Sequence, residues 1–167
     1  MSETRTILVA VDESGGTEAA LSRVAAAHKD DGSTIRLFHV VGPIPPGLLE
    51  FGGADTPEAE ERAEKALELA ESEWFEGERN KVRPRLEAMR DQLVAAGIAA
   101  DRVSGHVASS LPEDRLAHLI LDEARESGCD TVVVGHKAYG WLASIFHRDV
   151  SAELQKHAGD LRIVVAE

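Results

Sequence analysis

The segment TILVAV, residues 6–11, decides the fold class, because it is an unbroken apolar run with β-branched residues. A strand of this kind is buried on both faces, which is typical of parallel sheets covered by helices. A second segment of the same kind, DTVVVG, occupies residues 130–135. Two doubly buried strands far apart in the sequence predict a central parallel sheet.

Outward from these two runs, strand and helix patterns alternate. The further predicted strands are 34–41, 102–107 and 161–166, and the predicted helices are 17–28, 112–127, 150–157 and a helical region within 43–96. In that region, Pro84 and Gly77 predict a break between two helices rather than one long helix. The alternation predicts an α/β fold, a three-layer sandwich with a five-stranded, mainly parallel sheet and helices on both faces.

Length, net charge and cysteine count disfavour several classes of protein function. A length of 167 residues fits a single domain. The formal net charge of −12 disfavours nucleic acid and anionic membrane as partners. A single cysteine, Cys129, excludes a disulfide scaffold or a cysteine-built metal cluster, and its place before an apolar strand predicts an inert thiol. With no signal peptide and no apolar stretch of roughly 20 residues, we expect no membrane span and a cytoplasmic protein.

A ligand site is expected at one end of the sheet. In open α/β sheets, ligands bind beyond the carboxyl ends of the strands, where the strand order reverses. The loops that follow Val11, Val41 and Gly135 leave predicted strands at that end. These three loops are therefore the predicted walls of the site.

Three pieces of sequence resemble the universal stress protein family, of the single-domain, UspA-like type. They are ILVAVDES at the first strand, HVV at the end of the second, and the C-terminal segment CDTVVVGHKAYGWLASIFHRDVSAELQKHAGDLRIVVAE. The resemblance covers nearly the whole chain, although the helical region is longer than is usual for the family. It implies an adenine nucleotide alpha hydrolase-like fold.

Many members of that family bind ATP or a related adenine nucleotide through the motif G-x-x-G-x9-G-[ST]. Glycines in such a motif let backbone N–H groups approach phosphate oxygens. Counted from Gly135, the next three motif positions hold Ala138, Arg148 and Asp149, so that only the first glycine is retained. The departure predicts a degraded triphosphate site.

The nucleoside half of the site matches the family better. The resemblance places Asp12 near a ribose or adenine and Val41 on the adenine side, while Val150 and Ser151 match the helix start after the glycine motif. The complete set of candidate cofactor-binding residues is Asp12, Val41, Gly135, Lys137, Arg148, Val150 and Ser151. No residue is assigned to catalysis or to a metal.

Several of these residues have a structural explanation as well. Asp12 and Ser14 are also typical of a turn that opens a helix. Arg148 can hold a phosphate or pair with a carboxylate such as Asp149. The apolar residues between Tyr139 and Phe146 either cover the domain as a lid or contact a ligand or partner.

We therefore expect a non-catalytic regulatory or protective protein without a cofactor. It would form a homodimer through Leu161 to Ala166, as the resemblance implies, and act on an unidentified protein partner. The alternative is a sensor that binds ATP or another adenine nucleotide, with or without magnesium, through side chains in place of the glycine loop. A slow nucleotide hydrolase is a third interpretation.

Overall fold

The computed structural model describes residues 4–12, 15–48, 53–110, 115–135 and 150–167. The strands in these ranges are β1 (Thr6–Ala10), β2 (Thr34–Val41), β3 (Val103–Ser109), β4 (Thr131–Gly135) and β5 (Arg162–Ala166). The helices are α1 (Gly15–His28), α2 (Pro57–Ala95), α3 (Leu116–Glu126) and α4 (Val150–His157). Short 3-10 turns occupy Pro46–Leu48 and Ala100–Arg102.

The five strands form one sheet in the order β3-β2-β1-β4-β5. Every neighbouring pair is parallel, so the sheet is wholly parallel, and the predicted fold class is confirmed. The chain moves outward from β1 to β2 and β3, and then returns to the other side of β1 with β4. The order therefore reverses at β1 and β4, where open α/β sheets form their ligand sites.

The sheet has a hydrophobic core on each face, as expected of a three-layer sandwich. Leu8 and Ala10 of β1 pack on one face with buried residues of α3 and α4. Ile7 and Val9 pack on the other face with buried residues of α1 and α2. Because successive side chains of β1 alternate between two cores, the strand has no polar face, which explains its unbroken apolar run.

Most predicted boundaries agree with the structure within two residues. β2 and α4 begin and end where they were predicted, and α1 starts at Gly15, two residues earlier than expected. β3 runs two residues further than predicted, to Ser109, because it stays paired with β2 up to Val41. The described part of α3 begins at Leu116, and residues 111–114 lie outside the described ranges.

The predicted break near Pro84 and Gly77 is wrong, since α2 is one helix of 39 residues. Thr56 caps it by accepting a hydrogen bond from the Ala59 backbone N–H at 3.1 Å, and Pro57 occupies the first turn. A proline within a helix removes one backbone hydrogen bond. Helix packing offsets that loss, because Val82 and Leu86 are buried on either side of Pro84, which itself is exposed.

Candidate functional site

The carboxyl end of β4 lies directly against the first turn of α1. A Cβ atom built on Gly135 would lie 2.6 Å from Gly16 Cα and closer still to the Gly16 carbonyl group. Such a contact is far inside van der Waals distance, so only glycine fits at this position without a shift of the backbone. The one glycine retained from the family motif therefore has a packing role in this protein.

Asp12 and Thr17 close the turn between β1 and α1. Both residues are buried, with 7% and 4% of their surface exposed. The Thr17 hydroxyl accepts a hydrogen bond from the Asp12 backbone N–H at 2.9 Å and lies 3.0 Å from both the Asp12 carbonyl and carboxylate Oδ1. The Asp12 carboxylate is thus an acceptor within the fold, the turn-forming role that its sequence position also predicts.

His39 of β2 is a functional candidate that the sequence analysis did not single out. Its ring Nδ1 donates a hydrogen bond to the Val11 carbonyl oxygen at 2.9 Å, so Nδ1 carries the proton in the neutral ring. Burial lowers the pKa of His39 and outweighs the Val11 hydrogen bond and the nearby charges of Asp12 and Glu78. The ring is therefore held neutral near neutral pH. The sequence feature that could have identified His39 as a candidate is a single histidine within the predicted strand TIRLFHVV.

The ends of β2 and β3 are joined at Val41. Its carbonyl oxygen accepts hydrogen bonds from the Ser110 backbone N–H and the Ser110 hydroxyl, both at 3.0 Å. The Val41 side chain is 4% exposed. Val41 therefore supplies buried apolar surface at this end of the sheet, while its carbonyl is already occupied.

The middle of α2 closes the β2 side of the site. The Trp74 indole N–H donates a long hydrogen bond of 3.4 Å to the Gly42 carbonyl, just beyond β2. One turn later, Glu78 is near enough to favour the charged form of His39. The long helix thus brings an aromatic ring and a carboxylate to the carboxyl end of β2, which the sequence pattern did not predict.

Val150 and Ser151 begin α4 and are both buried. Val150 belongs to the same hydrophobic cluster as Ala10 and Val134, which lie near the carboxyl ends of β1 and β4. The first turn of α4 is therefore placed at the same end of the sheet as Asp12 and Gly135. Of the seven candidate residues, the structure places these five at one end of the sheet: Asp12, Val41, Gly135, Val150 and Ser151.

The other two candidates, Lys137 and Arg148, lie outside the described residues. The same holds for Ser14, Ala138, Asp149 and the segment from Tyr139 to Phe146. Within the described ranges, no group of three or more His, Cys, Asp or Glu residues is arranged to hold a metal ion. Cys129 is buried, and burial raises the pKa of its thiol to about 11, as fits an inert thiol.

The universal stress protein family model matches residues 3–159 of this chain. The chain belongs to the universal stress protein family. The match spans β1 to α4 and includes every strand that contributes to the candidate site. No curated protein matches the sequence.

Solved structures of the family share the fold at low sequence identity. A universal stress family protein from Burkholderia pseudomallei is 20% identical, with a TM-score of 0.65 over 99% of this chain and 97% of that one. The universal stress protein from Archaeoglobus fulgidus in complex with dAMP is 17% identical, with a TM-score of 0.57 over the full length of both chains. A universal stress protein in complex with cAMP is 14% identical, with a TM-score of 0.62 over 98% and 97%.

No helix in the described ranges is long and apolar enough to cross a membrane.

Proposed function

We propose that this protein is a non-catalytic, cytoplasmic regulatory or protective module of the universal stress type, whose triphosphate site is degraded. The observation that carries this proposal is the packing of Gly135 against Gly16. Because the fold itself requires glycine there, the retained glycine is not evidence for phosphate binding. The other motif positions hold Ala138, Arg148 and Asp149, which do not offer a glycine backbone to a phosphate.

The state of Asp12 supports the same proposal. Its carboxylate accepts a hydrogen bond from Thr17 within a buried turn, so a ribose hydroxyl would have to share or replace that contact. Asp149 adds a carboxylate where the family motif has a hydroxyl. A carboxylate about 4 Å from a phosphate is repelled by roughly 4 kcal/mol at an effective dielectric constant near 20.

The second candidate function is an adenine-nucleotide sensor. Two structural relatives are complexes with dAMP and cAMP, which carry one phosphate each, so these proteins hold an adenine nucleotide without a triphosphate. The buried Val41 would form an apolar wall of a nucleoside site. The neutral His39 would form a polar wall of the same site. Lys137 and Arg148 would then supply the phosphate contacts by charge, with or without magnesium.

Two measurements distinguish these functions. Mass spectrometry of the denatured, freshly purified protein detects a co-purified adenine nucleotide, and calorimetry compares ATP with dAMP and cAMP. The leading proposal expects no bound nucleotide and no micromolar affinity for any of the three. Micromolar binding of dAMP or cAMP that weakens in Arg148→Gln would establish the sensor instead. Release of phosphate from ATP by the wild-type protein, absent from Arg148→Gln, would identify a hydrolase.

We also propose that the protein is a homodimer joined along β5. This strand is at the edge of the sheet, and its apolar residues Ile163, Val164 and Val165 are only partly buried. An edge strand with unpaired backbone groups and apolar side chains is prone to aggregate unless another strand covers it. A second copy of β5 across a two-fold axis would provide that cover.

Light scattering at high micromolar concentration tests the dimer. The wild-type protein should have twice the mass of the 18.0 kDa chain. Ile163→Lys should shift it toward monomer, because a charge on an edge strand opposes strand pairing. Leu69→Lys is the matched control, since Leu69 is 60% exposed on α2, and it should stay dimeric. A monomeric wild-type protein, or equal behaviour of the two variants, would contradict pairing through β5.

A further inference from the structure

A cleft of about 210 Å³ lies between α2 and β3, at the β3 edge of the sheet. Its base is apolar and includes Leu37 of β2 and Leu86 of α2. Gly105 of β3 lies over this base, and a Cβ atom at this position would meet Leu86 Cδ1 at an ordinary van der Waals distance of 3.6 Å. We call this region the α2–β3 cleft.

Three arginines of α2 line the cleft: Arg79, Arg83 and Arg90. Arg79 and Arg90 are eleven residues apart, or about 16 Å along the helix axis. Arg79 makes an exposed ion pair with Glu76 at 3.5 Å, and Arg90 donates to the Ala100 carbonyl at 3.0 Å. Among the described residues, Arg83 has no hydrogen-bond or ion-pair partner. A row of cations therefore follows one side of the cleft in a protein whose net charge is −12.

Apart from the exposed Glu76 paired with Arg79, the other charged groups nearby leave this row largely uncompensated. Glu87 also lines the cleft, but it forms no ion pair with a described residue. The His106 ring stacks on Phe38 with centroids 5.9 Å apart, and Phe38 belongs to the core on the opposite face of the sheet. His106 therefore borders the cleft with its backbone, and the cleft keeps three arginines against one glutamate.

The other side of the cleft is a strand edge without a partner strand. β3 is the outermost strand beside β2, and no strand in the described ranges pairs with its outer edge. Ser104, Gly105 and His106 are exposed along it. Glycine in a strand lets another backbone approach closely. Such an edge can accept an extended peptide as an additional strand.

We propose that the α2–β3 cleft binds an acidic, extended segment of a partner protein, whose backbone pairs with the outer edge of β3 and whose carboxylates contact Arg79, Arg83 and Arg90. The length of the arginine row matches about five residues of extended strand. The cleft is smaller than the roughly 300–1,000 Å³ of sites that enclose a small molecule, which favours a peptide lying across it. This inference rests on the proposed regulatory or protective function and on the protein partner that the sequence analysis expects.

Fluorescence anisotropy with a labelled peptide of alternating Glu and Val residues tests the site. The wild-type protein should bind this peptide, and the variant with Arg79→Gln, Arg83→Gln and Arg90→Gln should bind at least about tenfold more weakly, a change of about 1.4 kcal/mol. The matched control changes three exposed cations elsewhere, Arg62→Gln, Arg115→Gln and Lys156→Gln. It alters the net charge equally and should bind like the wild type. Equal weakening in both variants, or no wild-type binding, overturns the proposal.

Two further probes separate pairing from charge alone. The same peptide methylated on alternate backbone nitrogens keeps its carboxylates but cannot pair fully with β3, and it should bind more weakly. Binding unaffected by methylation would overturn the strand-addition geometry. Inorganic phosphate that binds the cleft while the peptide does not would identify a small-anion site and overturn a peptide partner. All these outcomes are independent of the nucleotide measurements, so failure here leaves the nucleotide-site proposal intact.

Discussion

At the carboxyl ends of β1 and β4, polar groups are buried and already bonded to one another, whereas the α2–β3 cleft presents exposed arginines and a bare strand edge. Asp12 bonds Thr17, and Gly135 packs on Gly16. In the cleft, a Cβ atom at Gly105 would meet Leu86 at ordinary van der Waals distance, and Arg83 has no partner among the described residues. Among the described residues, the buried polar groups at the carboxyl ends of β1 and β4 thus make contacts within the fold, whereas the cleft presents exposed cations.

The largest expected effect of this difference is on the stability of variants at two glycines, Gly135 in the candidate site and Gly105 in the cleft. Gly135→Ala should destabilise the protein by about 3 kcal/mol, because the added Cβ overlaps the Gly16 backbone. Gly105→Ala is the matched change in the cleft and should stay within about 0.5 kcal/mol, since its Cβ meets only Leu86 at ordinary distance. Urea unfolding of both variants measures the effect. Similar free energies of unfolding would show that the two glycines do not differ as described.

Two arginines provide the next test. Arg36 of β2 contacts Glu123 of α3 at 2.6 and 2.8 Å, and hydrogen bonds from Arg36 and Ser127 lower the pKa of that carboxyl against the opposing effect of burial. Arg36→Gln should therefore cost about 1.5–2 kcal/mol in unfolding free energy. Arg83→Gln should change stability by less than about 0.5 kcal/mol. A large loss in Arg83→Gln would mean that the cleft arginine serves the fold rather than a partner.

Restoring the family motif tests the candidate site directly. The variant Ala138→Gly, Arg148→Gly and Asp149→Ser rebuilds the glycine pattern after Gly135 and removes a carboxylate. We expect it to bind ATP at least about tenfold tighter than the parent, or about 1.4 kcal/mol, by calorimetry. Equal affinity in a folded variant would show that the pocket is closed elsewhere. Tighter binding by the parent would make Arg148 a phosphate ligand and favour the sensor.

His39 provides the smallest test, through the pH dependence of stability. Its pKa is lowered in the folded protein from the ordinary 6.5, so the unfolded chain takes up the proton first as pH falls. Burial of His39 in its neutral form therefore contributes its full stabilisation above pH 6.5. That contribution decreases as the pH falls from 6.5 toward the lower pKa of His39 in the folded protein. His39→Asn keeps a donor for the Val11 carbonyl but does not titrate. It should lose less stability than the wild type between pH 7 and 5 in urea unfolding, and an equal loss would contradict a lowered pKa.

Local sequence was sufficient for most of the fold. The runs TILVAV and DTVVVG predict doubly buried strands, and both are central in the sheet. The capping pattern of Thr56 and Pro57 predicts the start of α2. These signals succeed because burial on two faces and the needs of a helix terminus act on residues close together in the chain.

By itself, the sequence determined the α/β class, the family and the loss of the glycine motif, since each of these can be identified from residues within short segments of the chain. The tertiary structure alone decided that α2 continues past Pro84, because burial of Val82 and Leu86 on the sheet outweighs a local helix-breaking signal. It also decided that Gly135 serves packing and that α2 and β3 form an arginine-lined cleft. These features depend on contacts between residues far apart in the chain, which no local pattern encodes.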